Sequence, residues 1–299
     1  MLLSVALGEF IVALVSVLLT SLYLSTILRN KSLKSIWKQS PSMAILLIST
    51  IFATLVSAAF CTTWILFIFG LICNVPQSSA LLLFTGLSFM AVHLSYTTAT
   101  LAIYVQRIYI LIYPLRPLHR VNKMIVVGQI LLMLAAVLTA VVPNAVYAPM
   151  DVVPVPKGCY SMNCSHLVTV GGTFSAGVSF VLSVSTVVLG CVFQYVHFKY
   201  RNSKKSAKPE AVKLNQFARY SFYIRLVFET TPYMTDLILV HSVGLRIGTI
   251  IGPYGVLGCS LDFCICTMLY YILAVKTKND QNKVGLFMVK KISSKTSKT

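Results

Sequence analysis

Seven stretches of the chain, at roughly 5–28, 43–70, 79–105, 124–147, 167–198, 215–241 and 247–274, are apolar and carry little or no formal charge. Each is long enough to cross a hydrocarbon layer about 30 Å thick, which takes roughly 20 residues of α-helix. Inside that layer no water satisfies a bare amide, so a spanning segment must bond its backbone internally. The expected fold is an all-α membrane protein, a bundle of seven transmembrane helices forming one domain over 1–299, with a basic tail at 276–299. Only 11% of residues are charged and mean hydropathy is +0.82, whereas a soluble domain carries about 25% charged residues. The first run could instead be a signal peptide, but it is too long for the apolar core of one. It also lacks a basic start and is followed by Arg29, Lys31, Lys34 and Lys38, which suits a first span with its flank.

A net charge of +18 would suit nucleic acid if the basic residues were gathered in one soluble domain. Instead they fall between the apolar runs. Lys and Arg number four at 29–42, three at 114–123, six at 199–213 and seven after residue 275, whereas the alternate connections hold only Lys157 and Arg246. Basic flanks stay on the cytosolic side during insertion, so this imbalance places the N-terminus outside and the tail in the cytosol. No nucleic-acid partner is expected. The tail mixes Val284, Leu286, Phe287, Val289 and Ile292 with lysines, which suits either a short helix on the anionic lipid of the inner leaflet or a disordered basic segment.

The third run closes with QRIYILIYPL, residues 106–115. In this topology Arg107 arrives at the cytosolic end of an inward-running helix, where its head group can reach water or a partner. Pro114 ends or kinks the helix at about the preceding residue, because it has no amide proton and clashes with the turn before it. The stretch resembles the segment closing the third helix of rhodopsin-like G-protein-coupled receptors, in which an acid, Arg and an aromatic are followed by Pro-Leu, the proline seven after the Arg. Gln106 stands in place of the acid and Ile108 in place of the aromatic. The sixth run adds ETTPYM, with Pro232 at the position of the mid-helix proline and Thr230 where the family has tryptophan. The seventh, GCSLDFCICTMLYYI, keeps an acid at Asp262 but has Phe263 where the family has proline.

With its short N-terminus, length near 300 residues and cysteine-bearing outer loops, the chain is similar to the serpentine chemoreceptors of nematodes, class BC among their families. The resemblance implies a chemosensory receptor in the plasma or ciliary membrane of a sensory cell. It implies an external small-molecule or pheromone-like ligand and a heterotrimeric G protein engaged through Arg107 and the basic inner loops. Membrane lipid is the remaining partner, and no cofactor is implied. A seven-helix ligand-gated channel or transporter is the alternative from another class. A transporter should show discontinuous helices or paired repeats.

Ionisable groups inside a span cost about 2.5–3.5 kcal/mol on insertion scales, and they face the bundle interior or a wet cavity. Arg219 lies near the cytosol, where it can snorkel. Arg225 and Glu229 stand four apart, share a helix face and can neutralise each other. The pair is either structural or a switch, since Pro232 weakens the helix just beyond it. Arg107 and Asp262 are further possible partners for Glu229. Asp262 itself is either a packed, hydrogen-bonded residue or a polar relay. Gly248, Gly252, Gly255 and Gly258 permit close helix approach. For a ligand in the outer half of the bundle the candidates are Phe89, His93, Tyr233, Asp236 and Tyr254. Phe89 lies where aminergic receptors of the family hold an aspartate, so the resemblance does not imply an amine bound in that way.

Of eight cysteines, Cys73, Cys159 and Cys164 fall in outer connections, where disulfides persist. The resemblance favours a bond from Cys73, just before the third helix, to the second outer loop. Cys159 is the preferred partner, and a local Cys159–Cys164 loop is the alternative. Asn163-Cys164-Ser165 fits a glycosylation sequon. No catalytic motif is present and the five histidines are scattered, so no enzyme is expected.

Overall fold

A computed structural model describes residues 3–114, 118–146, 155, 159–160, 170–200, 209–244 and 253–276. Every regular element among the described residues is helical. In chain order these are α1 (Leu3–Asn30), α2 (Leu33–Gln39), α3 (Pro41–Ile68), α4 (Pro76–Ile112), α5 (Leu118–Val146), α6 (Val170–Tyr200), α7 (Pro209–Arg225), α8 (Thr231–Val243) and α9 (Tyr254–Tyr271). A π-helical turn at Leu226–Thr230 joins α7 to α8, and a second, Ile272–Lys276, extends α9.

The ends follow local chemistry. Pro41 and Pro76 open α3 and α4, where the missing N–H would have had no helical partner. Ser32 caps α2 by accepting from the Ser35 amide at 3.3 Å. After α3, Gly70 adopts φ +72°. Its amide donates to the Phe67 carbonyl and that of Leu71 to the Leu66 carbonyl, both at 3.0 Å, which is the Schellman closure that a left-handed residue makes possible. α4 stops at Ile112, two residues ahead of Pro114.

Among the described residues, six helical segments are long and apolar enough to cross a membrane, and they belong to α1, α3, α4, α5, α6 and α9. The run expected at 215–241 is helical as well, but the π turn divides it into pieces of 17 and 13 residues. It also carries Arg219, Arg225, Glu229 and Asp236. Large apolar side chains such as Leu22, Leu55, Leu131, Val181 and Val227 point outward and are exposed on helix after helix. Continuous apolar surface of this kind fits lipid and would not stay soluble in water. The chain is an integral membrane protein.

The helices close into a ring in which α1 packs on α3, α3 on α4, α4 on α5, α5 on α6, α6 on α7, α7 on α9 and α9 back on α1. α4 also touches α6 and α7, which brings it across the interior of the ring. One apolar cluster, including Ile27, Met43, Tyr96, Tyr104, Phe193, Phe217 and Phe263, fills most of the interior. A second gathers at the end where α3 turns into α4, where Phe10 stacks on Trp64 at 5.9 Å and Val155 and Cys159 pack against them.

Candidate functional site

The charged residues of the divided run meet those of two other helices inside the ring. Arg225, in the last turn of α7, is 0% exposed, and Asp262 of α9 is also 0% exposed. Arg225 Nη2 lies 2.6 Å from Glu229 Oε2 in the π turn, and Nε donates to the same oxygen at 2.9 Å. On its other side, Nε lies 3.3 Å from Asp262 Oδ2. Nη2 also donates to Thr97 Oγ1 of α4 at 3.0 Å, and that hydroxyl lies 3.2 Å from Glu229 Oε1. The guanidinium sits over the Tyr96 ring at 4.8 Å, a cation–π contact. Cys266 Sγ, 3.4 Å from Asp262 Oδ1 and 3.6 Å from Ser221 Oγ, continues the polar contacts into α7.

His93 of α4 completes the group, with Nε2 3.0 Å from Glu229 Oε1. That contact and the Arg225–Asp262 contact are electrostatic approaches, because neither has the angle of a hydrogen bond. One guanidinium therefore faces two carboxylates and an imidazole that can carry the balancing charge. Placing such charges in a low-dielectric interior is costly unless they pair, so this network holds α4, the π turn and α9 to one another.

The break beside the network follows from Pro232. In an uninterrupted α-helix the Phe228 carbonyl would accept from the amide of residue 232, which a proline does not have. The chain takes the π register instead, and the Thr231 amide donates to the Leu226 carbonyl, five residues back. The Phe228 carbonyl is turned against α9 at Gly258, where a Cβ would collide with the carbonyl oxygen. Gly258 is thus required by one atom of the neighbouring helix.

Arg107 differs from expectation. It does not reach out to water, being 3% exposed. Nη2 donates to Ser40 Oγ at 3.0 Å and approaches Gln106 Oε1 at 3.4 Å. Ser40 donates to Gln106 Oε1 at 2.7 Å, and Gln106 Nε2 donates to Asn122 Oδ1 of α5 at 2.8 Å. The residue between α2 and α3, Ser40, folds over the end of α4 and covers the guanidinium. Among the described residues no carboxylate pairs with Arg107, so Gln106 supplies the oxygen without the charge.

The five ligand candidates separate into two groups. Phe89 stacks on Phe60 at 5.1 Å and on His93 at 6.4 Å, so Phe89 and His93 border the network. Asp236 lies beside Tyr254, and Tyr233 donates to the Ala176 carbonyl of α6 at 2.8 Å. Thr97, Tyr96, Ser40, Asn122 and Gly258 are participants that sequence reasoning did not place in the site. A four-residue step from Phe89 through His93 reaches Thr97 on one helical face and could have found it. Nothing local marks Ser40 or Asn122.

The preferred Cys73–Cys159 bond is not formed. Cys73 is a free, exposed thiol, whereas Cys159 is disulfide-bonded. Cys164, like Asn163, lies outside the described residues. The tie between the α3–α4 turn and the segment after α5 is made one residue further on, where Asn74 grips Val155 by both backbone groups at 2.9 Å. One side-chain amide can satisfy a backbone N–H and C=O together. Asn74→Ala is expected to lower stability by about 1–3 kcal/mol, two hydrogen bonds' worth, and Cys73→Ser by no more than about 0.5 kcal/mol. Thermal unfolding of the purified protein in detergent checks both. The chain matches no protein-family model and no curated protein.

Proposed function

We propose that this chain is a seven-transmembrane chemosensory receptor of the nematode serpentine kind, with the N-terminus outside and the C-terminus in the cytosol. It detects a small external molecule and signals to a heterotrimeric G protein from the plasma or ciliary membrane of a sensory cell. The divided segment Pro209–Val243 is the sixth crossing in chain order and brings the total to seven, with Arg225 and Glu229 compensating each other within the bundle.

The observation that carries this reading is the burial of Arg225 and Asp262 at the centre of the network. In a channel or transporter, intramembrane charges line a path that water and ions can enter. Here the guanidinium and Asp262 are closed off from solvent and paired across three helices. Their position at a helix break suits a latch between bundle conformations, whose populations a ligand beside Phe89 and His93 would shift. At the other end, neutral acceptors hold Arg107 less firmly than a carboxylate would, so it can be released to a cytosolic partner.

A ligand screen in cells reporting calcium or cyclic nucleotide tests the reading, with Arg107→Ala as the matched variant. The expected loss of response is at least about tenfold, equivalent to 1.4 kcal/mol of coupling, with surface level and ligand binding retained. A response unchanged by Arg107→Ala, or a ligand-gated current that persists with G proteins blocked, would overturn it.

A further inference from the structure

The short helix α2 offers a surface that the network and Arg107 do not use. It links the ends of two spans, α1 and α3, so it must lie at a membrane boundary. Ile36 is buried, and Ser40 just beyond the helix is tied to Gln106 and Arg107. With that side fixed, Lys34, Trp37 and Lys38 are exposed, as is Arg29 in the last turn of α1, a few residues before. Trp37 is 43% exposed, whereas the chain's other tryptophan, Trp64, is fully buried.

The sequence holds no Asp or Glu between Glu9 and Asp151. Among the described residues no ion pair involves Arg29, Lys34 or Lys38. Their counter-charge must come from outside this part of the chain. An indole set between lysines at the end of a span belongs to the boundary of headgroups and acyl chains, and basic side chains there attract anionic lipid.

We infer that Arg29, Lys34, Trp37 and Lys38 form a binding site for an anionic phospholipid, the cations on its headgroup and the indole against its glycerol and upper acyl chain. The occupant is a lipid and not a soluble phosphate, because only a lipid covers Trp37 as well as the charges. Occupancy also bears on Arg107, since Ser40, whose hydroxyl meets the guanidinium, is the residue that directly follows the helix carrying Lys34, Trp37 and Lys38. The assignment to the cytosolic leaflet rests on the receptor topology proposed above; the binding itself does not.

The two-tryptophan composition allows a direct test. In full-length protein carrying Trp64→Phe, Trp37 is the sole indole, and Phe preserves the aromatic stack with Phe10. The variant is placed in phosphatidylcholine nanodiscs containing an equal minor fraction of either brominated phosphatidylserine or brominated phosphatidylcholine. Quenching is expected to be at least about twofold greater with the brominated serine lipid, and Lys34→Gln with Lys38→Gln should bring the two to equality. Equal quenching in the parent, or a preference that survives the lysine substitutions, would overturn the site. Loss of the preference on adding glycerophosphoserine would overturn its assignment to a membrane lipid. Should Trp64→Phe fold poorly, native mass spectrometry of the unsubstituted protein reads the same preference by counting retained phosphatidylserine with and without the lysine pair. No ligand or G protein enters either measurement, so failure of the receptor reading would leave this result standing.

Discussion

Arg225→Met is expected to destabilise the folded protein by about 3–5 kcal/mol, the usual cost of deleting one member of a buried charge pair. Methionine fills much of the same volume, so the loss reports charge more than packing. Without the guanidinium, Glu229 and Asp262 keep their burial, and Thr97 loses its donor. The two carboxylates would then repel across the gap that Arg225 now bridges. Adding Glu229→Gln and Asp262→Asn removes the uncompensated charge, and this triple variant should recover most of the stability, as isosteric neutral replacements of buried ion pairs often do. Thermal unfolding in detergent, together with the fraction reaching the cell surface, reads both. A single Arg225→Met variant within about 1 kcal/mol of the parent would mean that the network contributes little.

The second large effect belongs to Gly258→Ala. The new methyl group meets the Phe228 carbonyl oxygen, an atom of the backbone that no rotamer change can move. Relief requires α9 and the π turn to separate, and overpacking of this kind costs about 1–3 kcal/mol. Gly255, one turn away on α9, has open space where its Cβ would be. Gly255→Ala should therefore be neutral or stabilising by up to about 1 kcal/mol, since alanine favours helix over glycine. The opposite signs of two equal substitutions three residues apart, measured by unfolding midpoint, separate close approach from helix propensity.

The apolar runs could be read from the chain because lipid demands long uncharged helices, and α1, α3, α4, α5, α6 and α9 fall where those runs lie. The Arg225–Glu229 contact was legible too, because a four-residue step fixes the shared face whatever surrounds it. Asp262 as a second carboxylate facing Arg225 was not, since it depends on how α9 packs on the π turn. Pro232 announced a weakened helix, but whether such a weakness becomes a kink or a π turn is decided by neighbours such as Gly258. The burial of Arg107 depends on Ser40, some 67 positions away in sequence, and no local pattern points to it. In the α3–α4 turn, Cys73 and Asn74 are adjacent, and sequence alone drew the eye to the sulfur when the amide makes the contact with Val155.

The π turn also alters the angular phase of everything after it. Each residue of an α-helix advances about 100° around the axis, and a π turn takes in one residue more than the α register allows. A single helical wheel drawn through Pro209–Val243 would thus misplace Tyr233 and Asp236 by about a third of a revolution relative to Arg219 and Arg225. A scan of substitutions along this stretch should show two periodic patterns out of step at Leu226–Thr230, and deleting one residue there would bring them back into a common rhythm while keeping Asp236 on the side of the helix that faces Tyr254.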